Sequence, residues 1–485
     1  MSKKKRSSAK GIFDDFDFLS NEEQDSEDVN QEIIALQLKE PASDYERGRW
    51  NGPINKRNRA IRSLAKTAIE CLNLAVLDHR TIMVYMQDVG CYEPLVAPEQ
   101  EITHALMPDI RDLSPKDLRD IIELIRTDPA CQIDSSTCNC DECRVNTYSG
   151  VVDWNNGAIY AASSSFHYTY SVNASFLGYE EEVETPCFDR YCQTSLGGNL
   201  LKRQLLLEFI GYSLSDTNRA KMAMFLKGAA DSGKSIIIGF VTRLLGEEQV
   251  SDIAIHDLND KFQRYMLRGR KLNCCGEIQG KPLSDISTFK KVTGNDRIEA
   301  EPKGGTPIFF RPTCKLLFAG NSLPGTTEAD ATAAFVNRMA VLIFDRSIPK
   351  EKQDRDLAEK LWAERDAIFT LALGALKELR ERNYIFTVPE DTRAYLDNFS
   401  ARSNSLMAFV SDECVIESEA KVFNDDLMRA YTCYCRANGY HQLGRNKVYE
   451  LLDGIPGVLG KRITIGAKSK RGHTGICLKQ SVAIR

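Results

Sequence analysis

The eight residues Gly228-Ala229-Ala230-Asp231-Ser232-Gly233-Lys234-Ser235 restrict what this chain can fold into more than any other stretch. They lie between two apolar runs, Met222 to Leu226 and Ile236 to Leu245. The first suits a buried strand and the second continues helically, so the sequence predicts a strand, a glycine-rich P-loop and a helix in succession. Gly228 and Gly233 let backbone N–H groups converge on phosphates, and the helix N-terminus adds its positive end. The expected ligand is ATP with Mg²⁺: Lys234 reaches the β- and γ-phosphates, and Ser235 offers its hydroxyl to the metal. The alternating strands and helices from about Lys221 to Leu379 predict an α/β unit with a parallel sheet.

Hydrolysis needs a carboxylate beside the γ-phosphate to position water. Lys271 to Ile278 reads as a strand ending in an acid, which makes Glu277 the candidate. Gly276 stands where many P-loop motors carry a second acid, so Mg²⁺ is expected to lean on Ser235, the phosphates and water, with Glu277 serving both tasks. A third strand, Lys315 to Ala319, runs into Gly320-Asn321-Ser322-Leu323-Pro324, and Asn321 reads as a γ-phosphate sensor. Alone, that pentapeptide is a turn; its place after loop and acid favours the sensor. Arg338 precedes the apolar Ala340 to Phe344 and is either a surface arginine or a finger projecting into a neighbouring subunit's site.

The 485 residues allow about three domains at roughly 150 each. Hydrophobic and charged fractions of 42% and 27% are those of a soluble globular protein, and no stretch approaches a membrane span. The basic Met1 to Lys10 leads into acids instead of an apolar core, so no secretory signal is read and a cytoplasmic location is expected. Fifteen scattered cysteines then read as reduced thiols.

Net charge is −5, but unevenly spread: Asp14 to Glu46 holds twelve acids and one base, Arg436 to Arg485 ten bases and two acids. The first segment has too little apolar content for a core, so residues 1–50 are expected to be a disordered acidic tail. Within it, Ile12 to Leu19 is either a docking peptide for a replication partner or plain solvated tail. Residues 51–200 read as a mainly helical accessory domain: a helix over Ile61 to Leu77, a strand pair over Thr81 to Leu95, a capped helix from Ser114 and short strands to Val172, after which a helix over Leu200 to Tyr212 leads into the motor. The motor is placed at 201–385. At 390–485 two helical stretches and a basic terminal hairpin predict a winged-helix domain.

The order of these features, with Phe289 to Asp296 between acid and sensor, resembles the superfamily 3 helicases, specifically the poxvirus and phage or plasmid primase-helicase group. Leu-Pro after the sensor, Ile348-Pro349, and Leu361 to Ile368 with Glu364 are similar to that family too, and the likeness extends over roughly residues 60–480. The resemblance implies an AAA+-like motor, a homo-hexameric ring around single-stranded DNA at a fork, and 3′ to 5′ movement. It implies that Arg297 to Pro307 is a pore hairpin in which Lys303, beside Gly304 and Gly305, grips a phosphate. The family often carries an N-terminal primase, whereas here Asp15-Phe16-Asp17 has no surrounding strands, so a separate primase or polymerase is expected as partner. The expected setting is replication of a phage, plasmid or mobile element in a bacterial host cell. The competing reading is an ATP-switched DNA-binding initiator without processive unwinding.

Two further groups stand out. Cys131, Cys138, Cys140 and Cys143 either hold a structural Zn²⁺ or form an exposed loop of thiols. Arg445, Lys447, Arg462, Lys470 and Arg471 are expected to meet DNA, with a solvated basic face as the alternative.

Overall fold

The computed structural model describes residues 53–106, 113–139, 141–278, 283, 285–326, 329–403, 405–438, 440 and 442–479. The acidic tail, its docking peptide and Cys140 lie outside the described residues. The chain divides into two compact units, one up to residue 140 with 162–169 and one made of 141–161 and 170 onward.

In the first unit, helix α1 (Pro53–Cys71) is followed by β1 (Leu74–Leu77), β2 (Thr81–Met86), β3 (Cys91–Pro94), α2 (Pro98–Leu106), α3 (Pro115–Thr127) and β4 (Gln132–Ile133). The helix expected over Ile61 to Leu77 therefore stops early. Asn73 takes a left-handed φ of 47°, the kind of turn that ends a helix, and the apolar residues beyond it pair as a strand. The expected helical domain thus carries a four-stranded sheet, ordered β3-β2-β1-β4. Ile61, Ala65 and Ala68 of α1 and Ile121 and Ile125 of α3 share a core with Val76, Ile82 and Val84 of the sheet. The cap read at Ser114 is a reciprocal box: Asp117 N donates to Ser114 Oγ (3.2 Å) and Ser114 N to Asp117 Oδ2 (3.3 Å).

The second unit opens with a meander, β5 (Arg144–Thr147), β6 (Gly150–Asp153) and β7 (Ala158–Tyr160), then α4 (Pro186–Ser195) and α5 (Leu200–Leu214). The alternating part follows: β8 (Ala223–Lys227), α6 (Lys234–Leu245), β9 (Val250–Ser251), α7 (Lys261–Tyr265), β10 (Leu272–Cys275), α8 (Ser287–Thr293), β11 (Ile298–Ala300), β12 (Ile308–Phe310), β13 (Lys315–Gly320), α9 (Ala329–Val336) and β14 (Met339–Ile343). Five of these strands form one sheet ordered β14-β8-β13-β10-β9, parallel at every pairing. Helices on both sides let its strands be buried on both faces, which is why they read as continuous apolar runs. At the short edge strand β9 the buried Asn273 supplies the missing ladder: its amide accepts from Ser251 Oγ and Ile253 N and donates to Ile253 O, all within 2.9 Å.

Helices α10 (Leu357–Ala363) and α11 (Arg365–Glu381) close the sheet, and α12 (Glu390–Ser403) leads on. The last segment comprises α13 (Ser405–Glu413), β15 (Cys414–Phe423), α14 (Asn424–Asn438), α15 (Arg445–Asp453), β16 (Leu459–Ile465) and β17 (Lys468–Leu478). Its sheet runs β15-β17-β16, so the expected terminal hairpin gains a third strand that the sequence reading missed. Exposure of Ile416, Glu417, Ser418 and Glu419 alike leaves β15 without a buried face there, and its register with β17 shifts between Ile416 and Lys421. Among the described residues no helix is long and apolar enough to cross a membrane.

A buried charge cluster sits at the amino ends of β10 and β13. Lys271 Nζ pairs with Asp216 Oδ1 at 2.6 Å, and Lys315 Nζ donates to the carbonyls of Ser215 and Thr313. Burial drives Lys315 down to about 7 from 10.5, against the pull of Asp216. Between those values the unfolded chain binds the proton and the folded chain does not, so this lysine makes stability rise with pH. Lys315→Met should therefore be neutral or stabilising at pH near 7 and flatten that rise. Asp216→Ala, which strips the buried Lys271 of its carboxylate, should cost about 3–5 kcal/mol in urea unfolding. Equal destabilisation by both would contradict this account.

Candidate functional site

Parallel strands point their carboxyl ends to one edge of a sheet, and crevices there hold ligands. Here β13 lies between β8 and β10, so the segments leaving these three strands converge. They line a single cleft of about 650 Å³ with Ala230 to Ser235, Gly276, Glu277, Gly320 and Asn321 on its walls. The sequence placed Glu277 and Asn321 far from the glycine-rich loop in number, and the strand order brings them beside it.

The loop is held by its neighbours. Gly228 N donates to Gly320 O (3.1 Å), and Ile348 N and Ser347 Oγ donate to Asp231 O and Ala230 O at 2.7 and 3.0 Å. Both loop glycines answer a steric demand: a Cβ on Gly228 would lie 2.7 Å from Phe344 Cβ, and one on Gly233, at φ +94°, 2.5 Å from Ser195 Oγ. Lys234 begins α6 and turns its Nζ onto Gly228 O (2.7 Å), Ala229 O (2.5 Å) and Ser232 Oγ (3.1 Å). Burial lowers the Lys234 pKa, opposed by Asp231 and Glu277. Glu277 follows β10 by two residues, where Ile278 N donates to Ala319 O (3.0 Å) and fixes its turn against β13. A Cβ on Gly276 would meet open space, so the absent second acid is a chemical difference and not a steric one.

The sequence reading missed the wall supplied by α4, where Arg190, Tyr191 and Thr194 face the cleft, and that supplied by Lys352 and Asp354. Tyr191 Oη donates to Gly233 O at 3.0 Å. Helix α4 is anchored in turn by Glu364, which accepts from Cys187 N (2.8 Å) and Phe188 N (2.9 Å). No local pattern marks α4 as part of the site, because its placement depends on an acid more than 170 residues later.

Arg338 does not line this cleft. It precedes β14 at the opposite, amino edge of the sheet, where Ala223 N donates to its carbonyl and its Nη1 donates to Ala334 O. Lys303 lies at the exposed tip between the antiparallel β11 and β12, followed by Gly304 at φ +77°. Arg462 and Arg471 face each other across the β16–β17 hairpin, with Lys470 opposite Ile463. Arg445 and Lys447, on α15, approach Asp425 (3.9 Å) and Glu450 (3.0 Å). Of the four cysteines, Cys131 is buried in the first unit's core, Cys138 Sγ lies 3.6 Å from Asp134 O, and Cys143 Sγ accepts from Arg380. Among the described residues no group of three or more His, Cys, Asp or Glu is placed to hold a metal ion.

Residues 226–338 match a family described as "Family of unknown function (DUF5906)". Two solved structures of the NrS-1 C terminal region, one an A form apo structure and one an apo structure of residues 305–718, are similar to this chain with TM-score 0.51. Each is 10% identical, covering 85% of this chain and 98% of the other. At that identity the likeness is one of fold.

Gly233→Ala should lower unfolding free energy by about 1–3 kcal/mol, the usual strain of a left-handed non-glycine residue. Adding Ser195→Ala should restore only the part due to the clash. Full recovery in the double variant, measured by denaturant unfolding, would show that the backbone conformation carries no strain.

Proposed function

We propose that this chain is an ATP-dependent DNA helicase of phage, plasmid or mobile-element replication, working as a ring on single-stranded DNA. The observation that carries the reading is the convergence of Lys234, Ser235, Glu277 and Asn321 in one cleft at the carboxyl edge of a parallel sheet. A cleft of this volume is of the size that takes small-molecule cofactors. The five-stranded parallel sheet, with β13 between the loop strand and the acid strand, supports the AAA+-like motor that the sequence resemblance implies.

The residues present suit a triphosphate and a divalent cation. Glycines let the backbone approach closely, a lysine and a serine hydroxyl open α6, and a carboxylate faces them. Mg²⁺, held by Ser235 with Glu277, would neutralise charge on the β- and γ-phosphates. Lys234 exchanges loop carbonyls for phosphate oxygens, which are stronger acceptors. Glu277 orients the attacking water and takes its proton, while Asn321 donates to the γ-phosphate from the neighbouring strand. Arg338, at the far edge of the sheet, is assigned to a neighbouring subunit's site, which makes the oligomer, read as a hexamer, part of the mechanism.

Two surfaces support DNA as the partner. On the β11–β12 hairpin Lys303 is exposed at the tip, and Phe309, 56% exposed, lies under the Arg297 guanidinium at 4.6 Å. A cation for the phosphate beside an aromatic face for the base is a single-strand binding combination. On the β16–β17 hairpin Lys461, Arg462, Lys468, Lys470 and Arg471 are exposed and form no ion pair with a described residue. Arginines directly opposite each other are mutually destabilising unless an anion lies between them. The winged-helix assignment of 390–485 rests on this hairpin and on helices α13, α14 and α15 beside it. Polarity of 3′ to 5′ and a separate primase or polymerase complete the proposal.

The test measures strand separation and ATP hydrolysis on a forked duplex in one preparation. The wild type should unwind with ATP, and Lys303→Ala should keep its DNA-independent ATPase while losing unwinding by about tenfold or more. Hydrolysis without strand separation by the wild type would overturn the helicase reading in favour of a switched initiator, and full unwinding by Lys303→Ala would overturn the hairpin's role.

A further inference from the structure

Helix α12 joins the sheet to the C-terminal segment, and its first turns touch β14 and the segments flanking β8 and β13. Thr392 Oγ1 donates to Val341 O of β14 at 2.7 Å in a buried contact. Asp391 pairs at 2.7 Å with Lys202, a lysine 2% exposed that also binds Asp345 at 2.6 Å and Ile343 O at 2.9 Å. Tyr395 touches the segments that lead into two walls of the cleft. Its Oη accepts from Leu323 N at 3.1 Å, two residues beyond Asn321, and Lys227 Nζ, one residue before the loop, lies 4.9 Å from its ring centroid. Those two walls are themselves joined by the Gly228 N to Gly320 O hydrogen bond. Beyond Ser403 the chain enters α13, whose Leu406, Phe409 and Val410 belong to the C-terminal core.

We infer that Tyr395 is a positioning residue that couples the state of the cleft to helix α12, and through α12 to the basic C-terminal segment. The inference rests on the reading of the cleft as a nucleotide site. When Asn321 moves to a γ-phosphate, the 320–324 segment carries the Leu323 N–H with it, and the phenol hydroxyl is its acceptor on α12. Thr392 and Asp391 pivot the helix on β14, so a shift at Leu323 turns it about that end. The apolar contacts of Tyr395, Leu396 and Phe399 with the sheet core give the helix a packed surface to move against.

Hydrogen exchange of the full chain, with and without Mg-ATPγS, tests this at amides 392–400. Nucleotide should change exchange there by about three- to tenfold, the range that one ordinary hydrogen bond covers. Tyr395→Phe should bind Mg-ATPγS with wild-type affinity and lose that response. Tyr395→Ala, which removes the ring too, should lose it equally. A wild type that binds nucleotide without any response at 392–400, or a Tyr395→Phe chain that keeps it, would overturn the coupling. A wild type that does not bind nucleotide would overturn the proposed site instead.

Discussion

The parallel pairing of β8 with β13 on one side and β14 on the other is the constraint on which the second unit depends. Parallel neighbours cannot be joined by a tight turn, so each strand needs a crossover, and every crossover returns the chain to the same edge. Three carboxyl ends then meet within one cleft, which is why residues scattered from 230 to 321 become one site. Slipping β13 by one residue would turn Asn321 and the apolar face of the strand away together.

Around this sheet the fold repeatedly uses buried or half-buried charged side chains as ties between distant segments. Lys202 holds the end of β14 and the start of α12, Glu364 holds α4, and Glu208, fully buried, accepts from Arg382 and from Thr387 N (2.8 Å). A buried charge is costly unless its hydrogen bonds are complete, and each of these groups has at least two partners. Such ties add specificity of arrangement where apolar packing alone tolerates sliding. They also tie α4 and α12 to the strands and loops around the cleft.

How much was legible in the sequence follows from how local each determinant is. The strand–loop–helix at 223–245 and the capped helix after Ser114 are written in neighbouring residues, and the structure places them within a residue or two of where they read; the hairpin around Lys303 came from the family resemblance, and its second strand runs on to Phe310. The helix expected through Leu77 ended at Cys71 because Asn73 turns left-handed, a choice that helical periodicity does not register. Strand β15 escaped notice because half of it faces solvent with charged residues. Arg190, Tyr191 and Lys352 reach the cleft through tertiary ties alone. The cysteine group shows the reverse case: close spacing in sequence, with Cys131 drawn into an apolar core and Cys143 beside Arg380.

The central claim is that the cleft hydrolyses ATP with Glu277 handling the water. Steady-state turnover of Mg-ATP by Glu277→Gln, alongside its nucleotide affinity, tests this most directly, because the amide keeps the shape and removes the base. The account predicts near-normal binding with turnover reduced by about a hundredfold or more. Turnover within a few fold of wild type would contradict it.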